Sequence, residues 1–402
     1  MRYHVLTSDV RSLLSHKNKV AMTSGVLLIA VLFAILATAI TGNTDEKKQL
    51  ELVHVIMRHG VRTPASTYPK DPYVNHTFYP IGWGQLTNPG KRQLYETGIF
   101  LRERYGHFLG ERYTPDLYYT ESTDVDRTKA SMQLVNAGLW PPKGDQIWGP
   151  ILWQPIPVHS EPLEQDMLLL VRKPCAQYSL EQIRAKNLSK VQEKLTKFQP
   201  IFKAVSELTG QKMEDFADAE DVYSTLLAEE NFNLTLPEWT KDFYPDKLKE
   251  PTIFFYVFNS YTDKMKRLKG GVLLKKLISD WKSKADGQLK PKERKAFLYG
   301  GHDSTIANLL SALKVWDPQI PVYGITILLE MSRDKSSGEM GIEVYLRNST
   351  TSPPHLLTIP GCQSFCPLDR LIELTAPVIP GNWEEECRSE DPNFVPPPPG
   401  GP

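Results

Sequence analysis

Residues 50–57, LELVHVIM, are apolar and β-branched with little alternation, the pattern of a strand covered on both faces. A loop rich in Pro and Gly follows, and from Gly90 onward Leu94, Gly98, Leu101 and Tyr105 recur at helical spacing. PDLYYTESTDVDRT then reads as a strand running into a polar loop, and VDRTKASMQLVNAGLW returns to helical periodicity. Strand, helix, strand, helix in this order predicts an α/β domain with a mostly parallel central sheet. From about residue 161 to 286 the pattern changes to Lys-rich and Glu-rich helical segments such as SLEQIRAKNLSKVQEKLTKF and GGVLLKKLISDWKS, which predicts a helical cap inserted into that domain. The lysine run from Lys264 to Lys276 reads as a solvated helix face. The α/β pattern resumes in KERKAFLYGGHDSTIANLLSALKVW, strand to loop to helix. GITILLEMS and GIEVYLR, separated by a Ser-Gly turn, predict an antiparallel hairpin at the sheet edge. The tail, residues 389–402, ends in VPPPPGGP, which suits neither helix nor strand and is expected to be disordered.

Residues 20–40, VAMTSGVLLIAVLFAILATAI, contain no charge and are just long enough to span a bilayer as a helix. Arg11, His16, Lys17 and Lys19 precede them, which places residues 1–19 in the cytoplasm and sends the remainder across the membrane. Ala37, Thr38 and Ala39 form a small-residue cleavage signal, so a cleaved signal peptide and a retained type II anchor both fit. Residues 41–48 would then be a linker, and a catalytic domain would run from 49 to 388. In a lumenal setting Asn75, Asn187, Asn233 and Asn348 are glycosylation acceptors in N-x-S/T triplets. Cys175, Cys362, Cys366 and Cys387 make two disulfides with three pairings open; zinc is disfavoured because Cys362 and Cys366 have no second close pair of Cys or His.

Lys plus Arg equals Asp plus Glu, 47 each, so overall charge gives no reason to expect nucleic acid as a partner; any anion site is local. Three loops, each just after a candidate strand, concentrate the chemistry: RHGVRTP (58–64), STDVDRT (122–128) and GGHDST (300–305). In an open sheet, ligands bind beyond the carboxyl ends of parallel strands, so the three can converge on one pocket. Together they supply Arg58, Arg62, Arg127, His59, His302 and Asp303. Three guanidiniums in one dry pocket repel each other unless an anion sits among them, and phosphate accepts bidentate bonds from arginine especially well. Gly60, Gly300 and Gly301 are expected to let the backbone approach that ligand, and a helix starting at Ser304 would present its amino end to it. A histidine between arginines has a depressed pKa and stays neutral and nucleophilic in mild acid, while the neighbouring carboxyl is suited to protonate a leaving alcohol. His54, His76, His107, His159 and His355 lack such context and read as structural or solvated.

RHGVRTP together with HD near the carboxyl end resembles the histidine acid phosphatases, the branch of the histidine phosphatase superfamily with the prostatic and lysosomal enzymes. GQLTNPGKRQLYETGIFLRERY, STDVDRT, PILWQPIPVHS, RLKGGVLL and PGCQSFCPLDRL extend the likeness from about Gln49 to Cys387. The resemblance implies a three-layer α/β sandwich of the phosphoglycerate mutase kind with a helical cap. It implies His59 as the phosphorus nucleophile, Arg58, Arg62, Arg127 and His302 as phosphate ligands and Asp303 as proton donor, with no metal or organic cofactor. It also implies pairing of Cys362 with Cys366 and of Cys175 with Cys387. The substrate would be a small phosphomonoester, a phosphoprotein or a lipid phosphate; family members often form homodimers. The chain departs from prostatic members at Val61, where they carry an acidic residue, and at Glu121, where they carry arginine, both expected near the pocket. One further cysteine pair of those members is missing.

No G-x-S-x-G and no Walker sequence occurs, which argues against a serine hydrolase and a P-loop enzyme. Two alternatives stay open: a phytase-like or inositol-phosphate phosphatase, marked by extra basic residues at the pocket mouth, and a catalytically silent lumenal binding protein of the same fold.

Overall fold

The computed structural model describes residues 47–391 and 393–397. The apolar stretch 20–40, its basic lead and the last residues of the tail lie outside them. Among the described residues no helix is long and apolar enough to cross a membrane. Residues 47–49 with Asp334–Gly338 form a minor unit, in which Lys335 N–H donates to the Lys47 carbonyl at 2.9 Å; the rest of the described chain forms the main body.

The elements used below are β1 (Lys48–Arg58), α1 (Asn88–Leu109), β2 (Tyr118–Ser122), α2 (Asp126–Leu139), α3 (Ala176–Lys186), α4 (Ser189–Thr209), α5 (Phe216–Asn231), α6 (Asp246–Phe258), α7 (Asp263–Leu268), α8 (Gly270–Ala285), β3 (Ala296–Gly301), α9 (Asp303–Ala312), β4 (Thr326–Asp334), β5 (Met340–Arg347), β6 (His355–Leu357), β7 (Cys366–Pro367) and α10 (Leu368–Thr375). The sheet runs β2-β3-β1-β4-β5-β6, with β7 beside β5. The absence of alternation in β1 has its reason here. Val53, Val55 and Met57 pack against α1 and α2 through Leu94, Leu101 and Val135. Leu52 and Ile56 face the opposite way, onto Leu274, Leu277 and Trp281 of α8 and Ile306 and Leu310 of α9. Helices therefore cover both faces, giving the expected three layers.

Parallel pairing is narrower than the strand-helix alternation suggests. β3 pairs parallel with β1 and with β2, whereas β4–β5, β5–β6 and β5–β7 are antiparallel, so the sheet is mixed. The cause is chain length between strands: β4 and β5 are joined by a short turn, which can only reverse direction, while the parallel pairs are linked through helices. α1 and α2 cross closely enough that a Cβ on Gly98 would sit on the Val135 carbonyl oxygen, and one on Gly138 on the Tyr95 carbonyl.

Between residues 161 and 286 the described chain forms helices and no strand. α4, α5 and α6 build a core of their own from Phe198, Phe202, Phe216, Leu226 and Leu248. α8, at the end of that segment, instead belongs to the layer under the sheet. Cys175 is bonded to Cys387 and Cys362 to Cys366, as the resemblance implied. The tail has no helix or strand over its described residues, yet Pro396 and Pro397 stand against the cavity described next, since Cys387 ties the segment close to it.

Candidate active site

Parallel register aligns three carboxyl ends. Arg58 lies opposite Gly301 and Ser122 opposite Gly300, so β1, β3 and β2 stop side by side. Backbone bonds then lace the three loops: His59 N–H donates to Gly301 C=O at 3.1 Å, and Thr123 N–H donates to Gly300 C=O at 3.1 Å. The RHGVRTP loop is fixed from behind by α1, where Thr87 Oγ1 donates to Val61 C=O at 3.2 Å. The structure assigns the glycines a different task from close approach to a ligand. A Cβ on Gly60 would strike Leu94 and the Gly90 carbonyl, one on Gly300 would strike Met132, and one on Gly301 would strike Thr305. They let helices pack tightly against the loops. The following helix begins at Asp303, with His302 as its N-cap, one residue earlier than expected.

All six sequence-predicted residues meet at one end of a cavity of about 610 Å³; His59, Arg62, Arg127, His302 and Asp303 line it, and Arg58 sits behind Asp303. Arg58 Nη2 is 2.8 Å from Asp303 Oδ2, its guanidinium also donates to the Pro321 carbonyl, and it lies 4.2 Å from the Tyr323 ring centre. Burial is the largest influence and works against its charge, but Asp303, Tyr323, Tyr256 and Glu220 together outweigh it and raise its pKa. Arg62 donates to its neighbour's carbonyl, Thr63 O, at 3.1 Å. Arg127 makes no ion pair with Asp124 or Asp126; Asp124 pairs with Lys129, and Asp126 accepts from Gln85 at 3.4 Å. Burial, then the nearby Arg62, lowers Arg127 to about 10. The Nε atoms of all three arginines are buried with no hydrogen-bond partner among the described residues. Of the three, only Arg58 is ion-paired among the described residues, which leaves Arg62 and Arg127 open to an anion.

The histidines are held in defined tautomers. His59 Nδ1 lies 2.9 Å from the Gly60 carbonyl oxygen. A carbonyl only accepts, so Nδ1 carries the proton and the Nε2 lone pair is free. His302 Nδ1 is 3.5 Å from Arg127 Nη2, which only donates, and its Nε2 is 2.9 Å from Thr123 Oγ1. His302 therefore donates from Nε2 to Thr123, and Thr128 Oγ1 stands 2.7 Å beyond. The two rings are 5.4 Å apart. Burial foremost, then Arg127 and Arg58, drives both histidines well below the ordinary imidazole value, so both are neutral in mild acid. The remaining histidines behave as their context implied. His54 stacks on Phe297 at 5.0 Å and reaches Asp280 at 3.2 Å, His159 stacks on Tyr119 at 4.8 Å, and His76, His107 and His355 are exposed.

Several cavity residues lie beyond the motifs. α5 contributes Asp218, Glu220 and Asp221. Glu220 accepts from Tyr256 OH at 3.0 Å, and burial, then the charge of Asp303, raises it to about 7. Arg172, Lys173 and Lys269 also line the cavity. Lys269 corrects the reading of the lysine run as solvated: its Nζ donates to Val171 C=O at 2.8 Å and lies 4.6 Å from the Tyr178 ring centre. Thr123 had a signal in STDVDRT, whereas cap residues at helical spacing look like any solvated face. Val61 and Glu121 do not line the cavity; Glu121 accepts from Tyr119 OH at 3.0 Å.

Fold and site together define an α/β protein that gathers three guanidiniums around a neutral, buried imidazole at the carboxyl ends of parallel strands. The chain belongs to the histidine phosphatase superfamily (branch 2), whose model matches residues 49–347. It is 38% identical over 347 residues to prostatic acid phosphatase of Homo sapiens, covering 85% of this chain and 88% of that protein. It is 36% identical over 346 residues to lysosomal acid phosphatase of Homo sapiens, covering 85% and 81%. Among solved structures it is similar in fold to Hafnia alvei phytase in complex with myo-inositol hexakis sulphate, with a TM-score of 0.64 at 19% identity over 85% of this chain and 99% of that one.

Proposed function

We propose that the protein is an acid phosphatase that hydrolyses phosphate monoesters through a phosphohistidine at His59. The observation that carries this reading is the free Nε2 of a buried, neutral His59 beside three arginines and one carboxyl. Arg58, Arg62 and Arg127 bind the phosphate oxygens, and His302 joins them once its proton sits on Nδ1, its Nε2 then accepting from Thr123 Oγ1. The His59 Nε2 lone pair attacks phosphorus, the ester P–O bond breaks, and the Asp303 carboxylic acid gives its proton to the departing oxygen. A phosphate that takes up the Arg58 donors also releases Asp303 from its ion pair toward that oxygen. In the second half, water attacks phosphorus, the P–N bond breaks, and the Asp303 carboxylate accepts the water proton. Inorganic phosphate then leaves.

The same reading places the domain in the secretory pathway, lysosomal, extracellular or membrane-anchored through residues 20–40. Two disulfides support an oxidising compartment, and Asn75, Asn187, Asn233 and Asn348 are all exposed, as glycosylation requires. The test is hydrolysis of an aryl phosphate at about pH 5 in the presence of chelator. Wild type is expected to turn over and His59→Ala to be inert. Activity that survives the substitution, or that vanishes with chelator, overturns the mechanism. Asp303→Asn is expected to lose most on alkyl esters; equal losses on aryl and alkyl esters remove Asp303 from the role of acid.

A further inference from the structure

We propose that the cavity carries a second anion subsite, formed by Arg172 and Lys269 beside the phosphate cradle. Resting on the acid phosphatase reading, this makes the preferred substrate a phosphate monoester whose alcohol part bears another anionic group, a second phosphate or a carboxylate. Arg172 and Lys269 both line the cavity that His59 and His302 open into. They are close enough that the charge of Arg172, after burial, lowers Lys269, to about 8, and also helps to depress His302. Neither forms an ion pair among the described residues, although each is partly buried. Asp166 offsets part of this charge from nearby but forms no ion pair with either side chain, its carboxylate accepting the backbone N–H groups of Leu168, Leu169 and Leu170 at 2.8, 2.9 and 2.9 Å.

Lys269 has two ammonium protons left after its bond to the Val171 carbonyl. Its position is set by the α7–α8 junction, where it ends one helix and starts the next. Lys173 is committed to Glu384 and is not counted in the subsite. Glu220 and Asp221, which line the same cavity, offer an anion no cation. The charged end of a leaving group is therefore steered to Arg172 and Lys269. Two adjacent, half-desolvated cations cost free energy unless an anion joins them.

The test is a series of α,ω-alkanediol bisphosphates of increasing linker length, each against the matching ω-hydroxyalkyl monophosphate, at about pH 5. A parallel series of ω-phosphooxyalkanoates separates phosphate from carboxylate as the second group. At the best linker length kcat/KM is expected to favour the doubly charged substrate by roughly tenfold, mainly through KM, as one or two charge-assisted hydrogen bonds would give. In Arg172→Gln and Lys269→Gln that ratio is expected to fall toward one, with the aryl phosphate rate showing that the variant is folded. No preference at any length in wild type overturns the subsite without any variant, and so does a preference that survives both substitutions. A wild type inert toward aryl phosphate is a different failure, that of the proposed function itself.

Discussion

Glu229 on α5 gives the fold a dependence on acid that can be measured apart from catalysis. Its side chain is wholly buried, and burial, then the charge of Asp71, lifts it from the ordinary 4.5 to about 8. A raised folded-state value means that, between about pH 4.5 and 8, the folded protein keeps a proton that the unfolded chain has lost. The contribution is therefore intact below the ordinary glutamate value, declines through that window and is gone once pH exceeds about 8. At about 1.4 kcal/mol per pH unit, the interval corresponds to about 5 kcal/mol, a large part of the 5–15 kcal/mol typical of a domain. Glu229→Gln keeps the shape and removes the titration. Urea unfolding of both proteins at about pH 5, 7 and 9 should show the variant gaining on wild type as pH rises, by up to about 5 kcal/mol. His54, His59 and His302, all depressed, work in the opposite direction below neutrality, so the difference between the two curves is the informative quantity. Parallel curves, or a variant that loses ground at high pH, would refute the assignment of a buried proton to Glu229.

Glu220, raised to about 7, is neutral in mild acid and ionised above neutrality, where it adds negative charge beside Asp303. KM for an aryl phosphate should climb above about pH 7 by up to roughly tenfold per pH unit, and Glu220→Gln should flatten the climb; superimposable profiles would rule this out. Arg127→Lys keeps one positive charge but loses the planar fork, and kcat/KM should drop about 10²-fold, measured on the same ester. Gly138→Ala should lower stability by about 1–3 kcal/mol in urea unfolding, because the new methyl meets the Tyr95 carbonyl where α1 and α2 cross.

What could be read in the residues was whatever is local. The two-sided burial of β1 is written in the unbroken apolar run LELVHVIM, and the three site loops follow strands whose ends the parallel register aligns. The antiparallel half was visible only as a hairpin, because pairing beyond neighbouring strands depends on connections that periodicity does not encode. The glycines were expected to let the backbone approach a ligand, whereas the space a side chain would need is taken by Leu94, Met132 and Thr305 on helices packed behind the loops. Arg172, Glu220 and Lys269 were missed for a related reason. Each belongs to a segment in which exposed and cavity-facing polar residues are interleaved, and only the fold shows which side chains turn toward the cavity.

The bond between Cys175 and Cys387 closes a loop whose ends are 212 residues apart in sequence. His59 and Arg127 precede that loop, while His302 and Asp303 lie inside it. A protease that cuts the backbone once between Cys175 and Gly301 therefore divides the catalytic set between two fragments without separating them. The nicked protein runs as one chain until a reductant is added, and in a protease-rich compartment it keeps both halves of its site on one covalent molecule.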